Sequence, residues 1–150
     1  MTNLYQNKFD KKTLIILPCY NEETRLRVNE INDFVSSQNE YDILFVNDGS
    51  TDATDQIIKD ICVISDNRVF QTSLPKNVGK GEAIRHGFNY IINNLDINKI
   101  SFIAYLDSDL STPLTEIARI KKFALQDNTN AEFISGIRLD RAGSKIKRSF

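Results

Sequence analysis

The fold is decided by the stretch YDILFVNDGS, residues 41–50. Its apolar run, Ile43 to Val46, is far too short to span a membrane and has the near-continuous hydrophobicity of a strand buried on both faces. Asp48-Gly49-Ser50 then forms a turn signal, and Ser50 or Thr51 can cap the helix pattern that follows. The stretch therefore predicts a strand, a tight turn and a helix.

The same pattern recurs on both sides of this unit. Predicted strands cover residues 13–18, 41–47, 68–72, 100–106 and 132–137. Predicted helices cover residues 22–37, the segment that begins after Thr51, residues 81–94, and a segment that Thr112 caps and that runs from Pro113 to about Gln126. The order βαβαβαβαβ predicts an α/β fold, a mainly parallel sheet with helices on both faces and right-handed crossovers.

The composition fits one globular domain. The chain has 150 residues, of which 41% are hydrophobic and 26% are charged, so a disordered tail or a disulfide scaffold is excluded. Its first dozen residues are polar and its cysteines are only Cys19 and Cys62, which together favour a cytoplasmic protein with reduced thiols. Two thiols and the single His86 cannot make a zinc site.

The charge is distributed unevenly along the chain. Residues 138–150 carry five basic side chains against one acidic side chain, a net charge of +4, whereas the whole chain carries −1. Such a basic end on an acidic body suggests an anionic partner at that end. The alternative is a solvated basic tail without a partner.

The predicted sheet brings four polar segments to one edge, because ligands bind beyond the carboxyl ends of parallel strands. These segments are PCYNEE at 18–23, NDGSTD at 47–52, LPKNVGKG at 74–81 and DSD at 107–109. They offer an aromatic ring, several carboxylates and a lysine flanked by glycines. The edge is therefore the candidate binding site.

Asp107 and Asp109 are the chemical centre of this set. Hard carboxylate oxygens at positions i and i+2 can hold Mg²⁺ or Mn²⁺ while leaving coordination positions for phosphate oxygens. With 13 aspartates in the chain, about one Asp-x-Asp arises by chance, so a capped turn with solvated carboxylates stays an alternative.

Three further residues of the edge are candidates for nucleotide binding. Asp48 can accept from a base N–H or a ribose hydroxyl, or else can belong to a turn that caps the next helix. Tyr20 can stack on a base or pack on the sheet edge. Lys80, between Gly79 and Gly81, can meet a diphosphate or can simply open a helix. Neither a P-loop nor a G-x-G-x-x-G fingerprint is present in the sequence, which argues against a hydride-transfer domain.

Four segments, in this order, resemble the signature segments of family 2 glycosyltransferases. They are ILPCYNEE at 16–23, FVNDGSTD at 45–52, NVGKG at 77–81 and YLDSDLSTP at 105–113. Asn47 stands where the family often has aspartate. The resemblance implies the GT-A fold, a Rossmann-like, mainly parallel sheet.

The most similar branch of the family is that of the dolichyl-phosphate β-glucosyltransferases and dolichyl-phosphate mannose synthases. Residues SGIR at 135–138, AGS at 142–144 and KRS at 147–149 are similar to a further motif of that branch. The resemblance implies that residues 1–150 form a nucleotide-sugar-binding domain. Since family members continue well past this point, we expect a domain that is truncated on its C-terminal side.

The resemblance also implies an activity, the transfer of a hexose with inversion from a nucleoside-diphosphate sugar. UDP-glucose is favoured as the donor, and GDP-mannose stays open. Mg²⁺ or Mn²⁺ is expected on the Asp107/Asp109 pair, with Asp109 as the direct ligand, and would neutralise the departing diphosphate. The implied donor-binding residues are Pro18, Tyr20, Glu22, Asp48, Lys80, Asp107 and Ser108.

The expected acceptor is a polyprenyl phosphate at the membrane surface. A lipid phosphate is already anionic, so it needs cations rather than a general base, and Arg138, Arg148 and Ser149 would hold it. A saccharide hydroxyl as acceptor, or nucleotide binding without turnover, stays an alternative. A sugar nucleotidylyltransferase is disfavoured, because residues 18–23 contain neither glycine nor arginine. We expect no nucleic-acid partner, and an oligomer stays open.

Overall fold

The computed structural model describes residues 11–126 and 132–136. The strands are β1 (Lys12–Cys19), β2 (Tyr41–Asn47), β3 (Val69–Ser73) and β4 (Ile100–Tyr105). The helices are α1 (Val28–Ser37), α2 (Thr54–Ile64), α3 (Lys80–Asn94) and α4 (Thr115–Gln126), and a short 3₁₀ turn, Ile97–Lys99, precedes β4.

The sheet is parallel and has the strand order β3-β2-β1-β4. The chain moves outward from β1 to β3 and then crosses to the other side of β1, which places a topological switch point between β1 and β4. A crevice opens at such a point beyond the carboxyl ends of the strands, and ligands of open α/β sheets bind there. The prediction of a mainly parallel α/β sheet is confirmed.

Helices cover both faces of the sheet, as the sequence predicts. Ile15 and Phe45 point to the face on which α1, α2 and α4 pack, while Ile16 and Val46 point to the face covered by α3. All four side chains are fully buried. Because both faces are covered, the central strands are apolar throughout, which is why their positions were readable from the sequence.

Three helices begin later than the sequence pattern predicts. Helix α1 starts at Val28 because residues 22–26 form a separate turn, in which the N–H groups of Arg25 and Leu26 both donate to the Glu22 carbonyl. Helix α4 starts at Thr115 instead of Pro113. Helix α2 starts at Thr54, whereas the sequence predicts a start directly after Thr51.

The predicted cap of α2 is wrong. Ser50 and Thr51 do not cap this helix, and the Asp52 carboxylate instead accepts the Thr54 N–H at 3.0 Å. Ser50 and Thr51 are engaged with Asn21 in the loop after β1. Tertiary contacts between two loops therefore displace the local capping preference.

The predicted fifth strand is also wrong for the part that the structure describes. Residues 132–136 have an irregular conformation, and Ile137 lies outside the described residues. An open groove of about 740 Å³ is lined by both β4 and this segment, so the two are not paired, and Phe133 is 74% exposed. Apolar residues in a short segment therefore do not by themselves make a strand, even beside the open edge of β4.

Gly49 sets the path of the chain around the edge of the sheet. Its φ of +66° is in the left-handed region, and a Cβ there would lie 2.3 Å from the carbonyl carbon of Lys76. The turn after β2 is therefore in direct backbone contact with the loop after β3. This contact requires glycine for both conformational and steric reasons.

We predict that Gly49→Ala lowers the free energy of unfolding by at least about 2 kcal/mol, because it adds left-handed strain to a backbone clash. Urea unfolding of the two proteins measures the difference. Gly81→Ala is the control, since a Cβ at Gly81 meets nothing within 4 Å and alanine is favoured in a helix. Equal stability of Gly49→Ala and wild type would contradict the assigned loop contact.

Candidate active site

The loops that follow β1 and β2 are joined by hydrogen bonds, among them those of Asn21. The Asn21 Oδ1 atom accepts the Thr51 N–H at 2.8 Å, and the Asn21 N–H donates to Ser50 Oγ at 3.0 Å. Asn21 has a φ of 50°, a conformation that asparagine tolerates better than most residues. The first two polar segments of the sequence therefore form one continuous wall.

Glu22 lies in this wall and is largely shielded from solvent. Its N–H donates to Thr54 Oγ1 at 2.7 Å, and its Oε1 atom accepts from Arg25 Nη2 at 2.9 Å. Burial raises the pKa of the Glu22 carboxyl, an effect that the positive charge of Arg25 opposes. Glu22 is thus a carboxylate oriented by a single guanidinium.

The contacts of Asn47 account for an asparagine at a position where the family that the sequence resembles often has aspartate. Its Oδ1 atom accepts the Ser50 N–H and its Nδ2 atom donates to Asp55 Oδ1, both at 3.0 Å. An aspartate could not donate to Asp55 and would place two carboxylates in contact. The amide is therefore the residue that fits the neighbouring Asp55, whose pKa is lowered by Lys59 and by Asn47 itself.

Asp48 is buried, with 3% exposure, and it holds the next loop of the edge. The Val78 N–H donates to its Oδ1 atom and the Gly79 N–H to its Oδ2 atom, each at 2.9 Å. The carboxylate does not cap α2, whose N-cap residue is Ala53. Asp48 therefore fixes the backbone directly before Lys80, where α3 begins.

Lys80 and Asp107 meet across the crevice. The Lys80 ammonium forms an ion pair with the Asp107 Oδ1 atom, and the two side chains are 53% and 42% exposed. Lys80 comes from the third polar segment and Asp107 from the fourth, so the structure brings these two sequence motifs into contact.

Asp109 is held as an ionised carboxylate. Its Oδ1 atom accepts the Ser111 N–H at 2.9 Å, and this hydrogen bond, assisted by the charges of Arg25 and Arg27, lowers the pKa of its carboxyl. Asp109 also lies close enough to Glu22 for its charge to help raise the pKa of Glu22. The loops after β1 and β4 therefore meet at these two carboxylates.

The remaining predicted donor-site residues have distinct environments. Pro18 is buried in β1, Ser108 is buried between the two aspartates in sequence, and the Tyr20 ring is 41% exposed just beyond β1. Only Tyr20 of these three therefore presents a large free surface. The predicted acceptor residues Arg138, Arg148 and Ser149 lie outside the described residues.

Sequence reasoning missed Arg25 and Arg27. Both lie between β1 and α1, and their charges act on Asp109. A signal was available, because Arg25 in the first turn of the predicted helix 22–37 is unfavourable at the positive end of a helix dipole. That conflict indicates a loop with its own electrostatic role.

The carboxylate pair suits a divalent cation. Within residues 11–126 and 132–136, no group of three or more His, Cys, Asp or Glu side chains is placed to hold a metal. However, Mg²⁺ is commonly bound by one or two carboxylates and completes its shell with substrate phosphates and water. Asp109, ionised and at the mouth of the crevice, with Asp107 two residues away, fits this mode of binding.

A comparison with protein families identifies the chain. Residues 14–147 match the model of glycosyl transferase family 2. The chain belongs to this family. The match includes all four polar segments of the edge, so the family assignment and the geometry of the crevice concern the same residues.

Two curated relatives come from distant organisms. The undecaprenyl-phosphate 4-deoxy-4-formamido-L-arabinose transferase of Edwardsiella ictaluri is 32% identical over 137 residues, which is 89% of this chain and 39% of that protein. The dolichyl-phosphate beta-glucosyltransferase of Trichomonas vaginalis is 29% identical over 141 residues, covering 87% of this chain and 40% of the relative. The chain thus spans about two-fifths of the length of these relatives.

Solved structures agree on the fold. S. aureus TarS superposes with a TM-score of 0.55 at 22% identity over 75% of this chain and 20% of TarS. Its 1–349 form in complex with UDP-GlcNAc gives 0.54 at 23% identity, covering 75% of this chain and 31% of that one. The sheet is therefore of the GT-A type.

Of the helices that the structure describes, none has the length and apolar character needed to cross a bilayer.

We predict that Asp48→Asn destabilises the fold by about 1–3 kcal/mol, because the amide NH₂ replaces an acceptor that faces an N–H donor. Urea unfolding measures the loss, and amide hydrogen exchange at Val78 and Gly79 localises it. Asp33→Asn is the control, since it makes the same charge change on the exposed side of α1. Unchanged exchange at both amides would contradict the assigned role of Asp48.

Proposed function

We propose that this chain binds a nucleoside-diphosphate hexose and transfers the sugar, with inversion, to a polyprenyl phosphate. The observation that carries the proposal is the ion pair between Lys80 and Asp107 at the switch point of a family 2 sheet, with the carboxylate of Asp109 two residues further along the same loop. UDP-glucose is the favoured donor and GDP-mannose the second choice. Residues 1–150 would act as the nucleotide-sugar-binding domain.

Asp109 and Asp107 would hold Mg²⁺ or Mn²⁺. When bound, the cation would neutralise the negative charge that develops on the departing diphosphate. Asp109 is the better direct ligand, because its pKa is lowered and it carries no ion pair of its own among the described residues. Asp107 would support the cation or contact the ribose.

The nucleoside would lie on the wall that the first two loops form. The exposed Tyr20 ring offers a stacking surface, while Pro18 and Glu22 line the wall beside it. Each carboxylate oxygen of Asp48 has accepted one N–H and keeps a further lone pair, which can accept from a base N–H or a ribose hydroxyl. Ser108 would support the diphosphate side of the site.

The acceptor proposal has two supports. Both curated relatives described above are named for lipid phosphates, undecaprenyl phosphate in one and dolichyl phosphate in the other. The basic segment 138–150, with its charge of +4, offers Arg138 and Arg148 to an anionic acceptor. A phosphate oxyanion is nucleophilic without a general base, so cations that hold it in place meet the chemical need. The domain would work at a membrane surface.

Asp109→Asn tests the donor site, because it keeps the acceptor for the Ser111 N–H but removes the charge. We predict that it weakens UDP binding in the presence of Mn²⁺ at least tenfold, about 1.4 kcal/mol, in calorimetric titrations. EDTA should weaken wild-type binding similarly. Asp33→Asn serves as the charge-matched control and should bind like wild type. Wild-type affinity of Asp109→Asn in Mn²⁺ would refute the assignment.

Arg138→Lys tests the acceptor site, because lysine keeps the charge and loses the bidentate geometry. We predict that it weakens binding of a short-chain polyprenyl phosphate at least fivefold and leaves UDP binding unchanged. Arg141→Lys, in the same basic segment, is the control and should bind normally. If Arg138→Lys and Arg148→Lys both bind the lipid phosphate like wild type, a saccharide hydroxyl becomes the preferred acceptor.

A further inference from the structure

Lys80 is paired with Asp107, which is one of the two carboxylates proposed to bind the metal. The Lys80 ammonium is bound to the Asp107 Oδ1 atom. Two cations cannot approach the same carboxylate closely without repelling each other, so a divalent ion must weaken or displace this contact. Lys80 and the metal therefore compete for Asp107.

The backbone of Lys80 is fixed while its side chain is free to move. Asp48 binds the N–H groups of Val78 and Gly79, and α3 begins at Lys80 itself. The side chain is 53% exposed, and within the described part of the chain Asp107 is the partner of its ammonium. A long side chain on a fixed base can exchange one anion for another without any change in the fold.

We propose that Lys80 is the resident cation of Asp107. Its ammonium occupies the place of the divalent ion until metal and diphosphate arrive together, and it is then released to the diphosphate. The inference rests on the proposed function and deepens it. In the nucleotide-free protein Lys80 neutralises Asp107. In the loaded protein the metal takes over that role, and the freed ammonium meets the new negative charge.

This exchange gives Lys80 opposite effects on the two ligands. Without nucleotide, Lys80 opposes metal binding, and its removal should tighten Mn²⁺ binding about threefold to fivefold, the range expected for a half-exposed ion pair. With nucleotide, Lys80 assists, and its removal should weaken UDP binding in Mn²⁺ at least fivefold. If the lysine only bound diphosphate, its removal would weaken UDP binding without tightening Mn²⁺ binding.

The experiment measures free Mn²⁺ by electron paramagnetic resonance during titration of the protein, first without nucleotide and then with UDP. Lys80→Met removes the charge and keeps the side-chain bulk, Lys80→Gln repeats the test with a polar side chain, and Lys80→Arg keeps the charge. Lys76→Met is the matched control, because it removes a lysine charge from the same loop. Thermal unfolding checks that each variant is folded.

We expect Lys80→Met and Lys80→Gln to bind Mn²⁺ more tightly than Lys76→Met, and Lys80→Arg to resemble wild type. Equal Mn²⁺ affinities of Lys80→Met, Lys80→Gln and Lys76→Met would overturn the inference, even if wild type binds UDP as proposed. A second outcome separates the two ideas. If Lys80→Met and Lys80→Gln bind Mn²⁺ more tightly but neither wild type nor any variant binds UDP, the result supports the exchange and refutes the proposed function.

Discussion

The buried carboxylate of Asp48 is the constraint on which the rest of the site depends. It lies at the end of β2 and accepts two consecutive N–H groups from the loop that leads into α3. The contact of that loop with Gly49 holds the same two segments together from the other side. As a result, the start of α3, and with it Lys80, has a fixed position relative to the carboxyl ends of the strands. The hydrogen bonds from the Val78 and Gly79 N–H groups to the Asp48 carboxylate therefore preorganise this side of the crevice.

A second carboxylate cluster shows how the family pattern adapts to its neighbours. Asn47 occupies a position where aspartate is frequent in the family, and its amide bridges the Ser50 N–H and the Asp55 carboxylate. The substitution leaves Asp48 as the acidic residue at the end of β2. Two structural contacts are thereby divided between adjacent residues: Asn47 supports the turn after β2, and Asp48 binds the loop before α3.

The sequence predicts the sheet well because burial on both faces gives β1 and β2 long apolar runs, Leu14 to Leu17 and Ile43 to Val46. It also predicts that Asp48, Lys80 and Asp107 share one edge, since topology alone brings the strand ends together. The start of α2 is misplaced because Ser50 and Thr51 bind Asn21, a residue some thirty positions away that local propensity does not register. The start of α1 is misplaced because residues 22–26 form a turn of their own. For the same reason the pairing of Lys80 with Asp107 and the effect of Arg25 on Asp109 could not be predicted from spacing. Such contacts exist only once the loops are folded against one another.

Within the described residues, β4 has a hydrogen-bonded neighbour only on the β1 side. Its outer edge, beside the groove, presents backbone donors and acceptors together with the half-exposed ring of Tyr105. An open strand edge of this kind is a template for pairing with a strand of another molecule, which is the usual first step in aggregation of sheet proteins. Charge repulsion between molecules gives little protection against that step, because the whole chain carries a net charge of only −1.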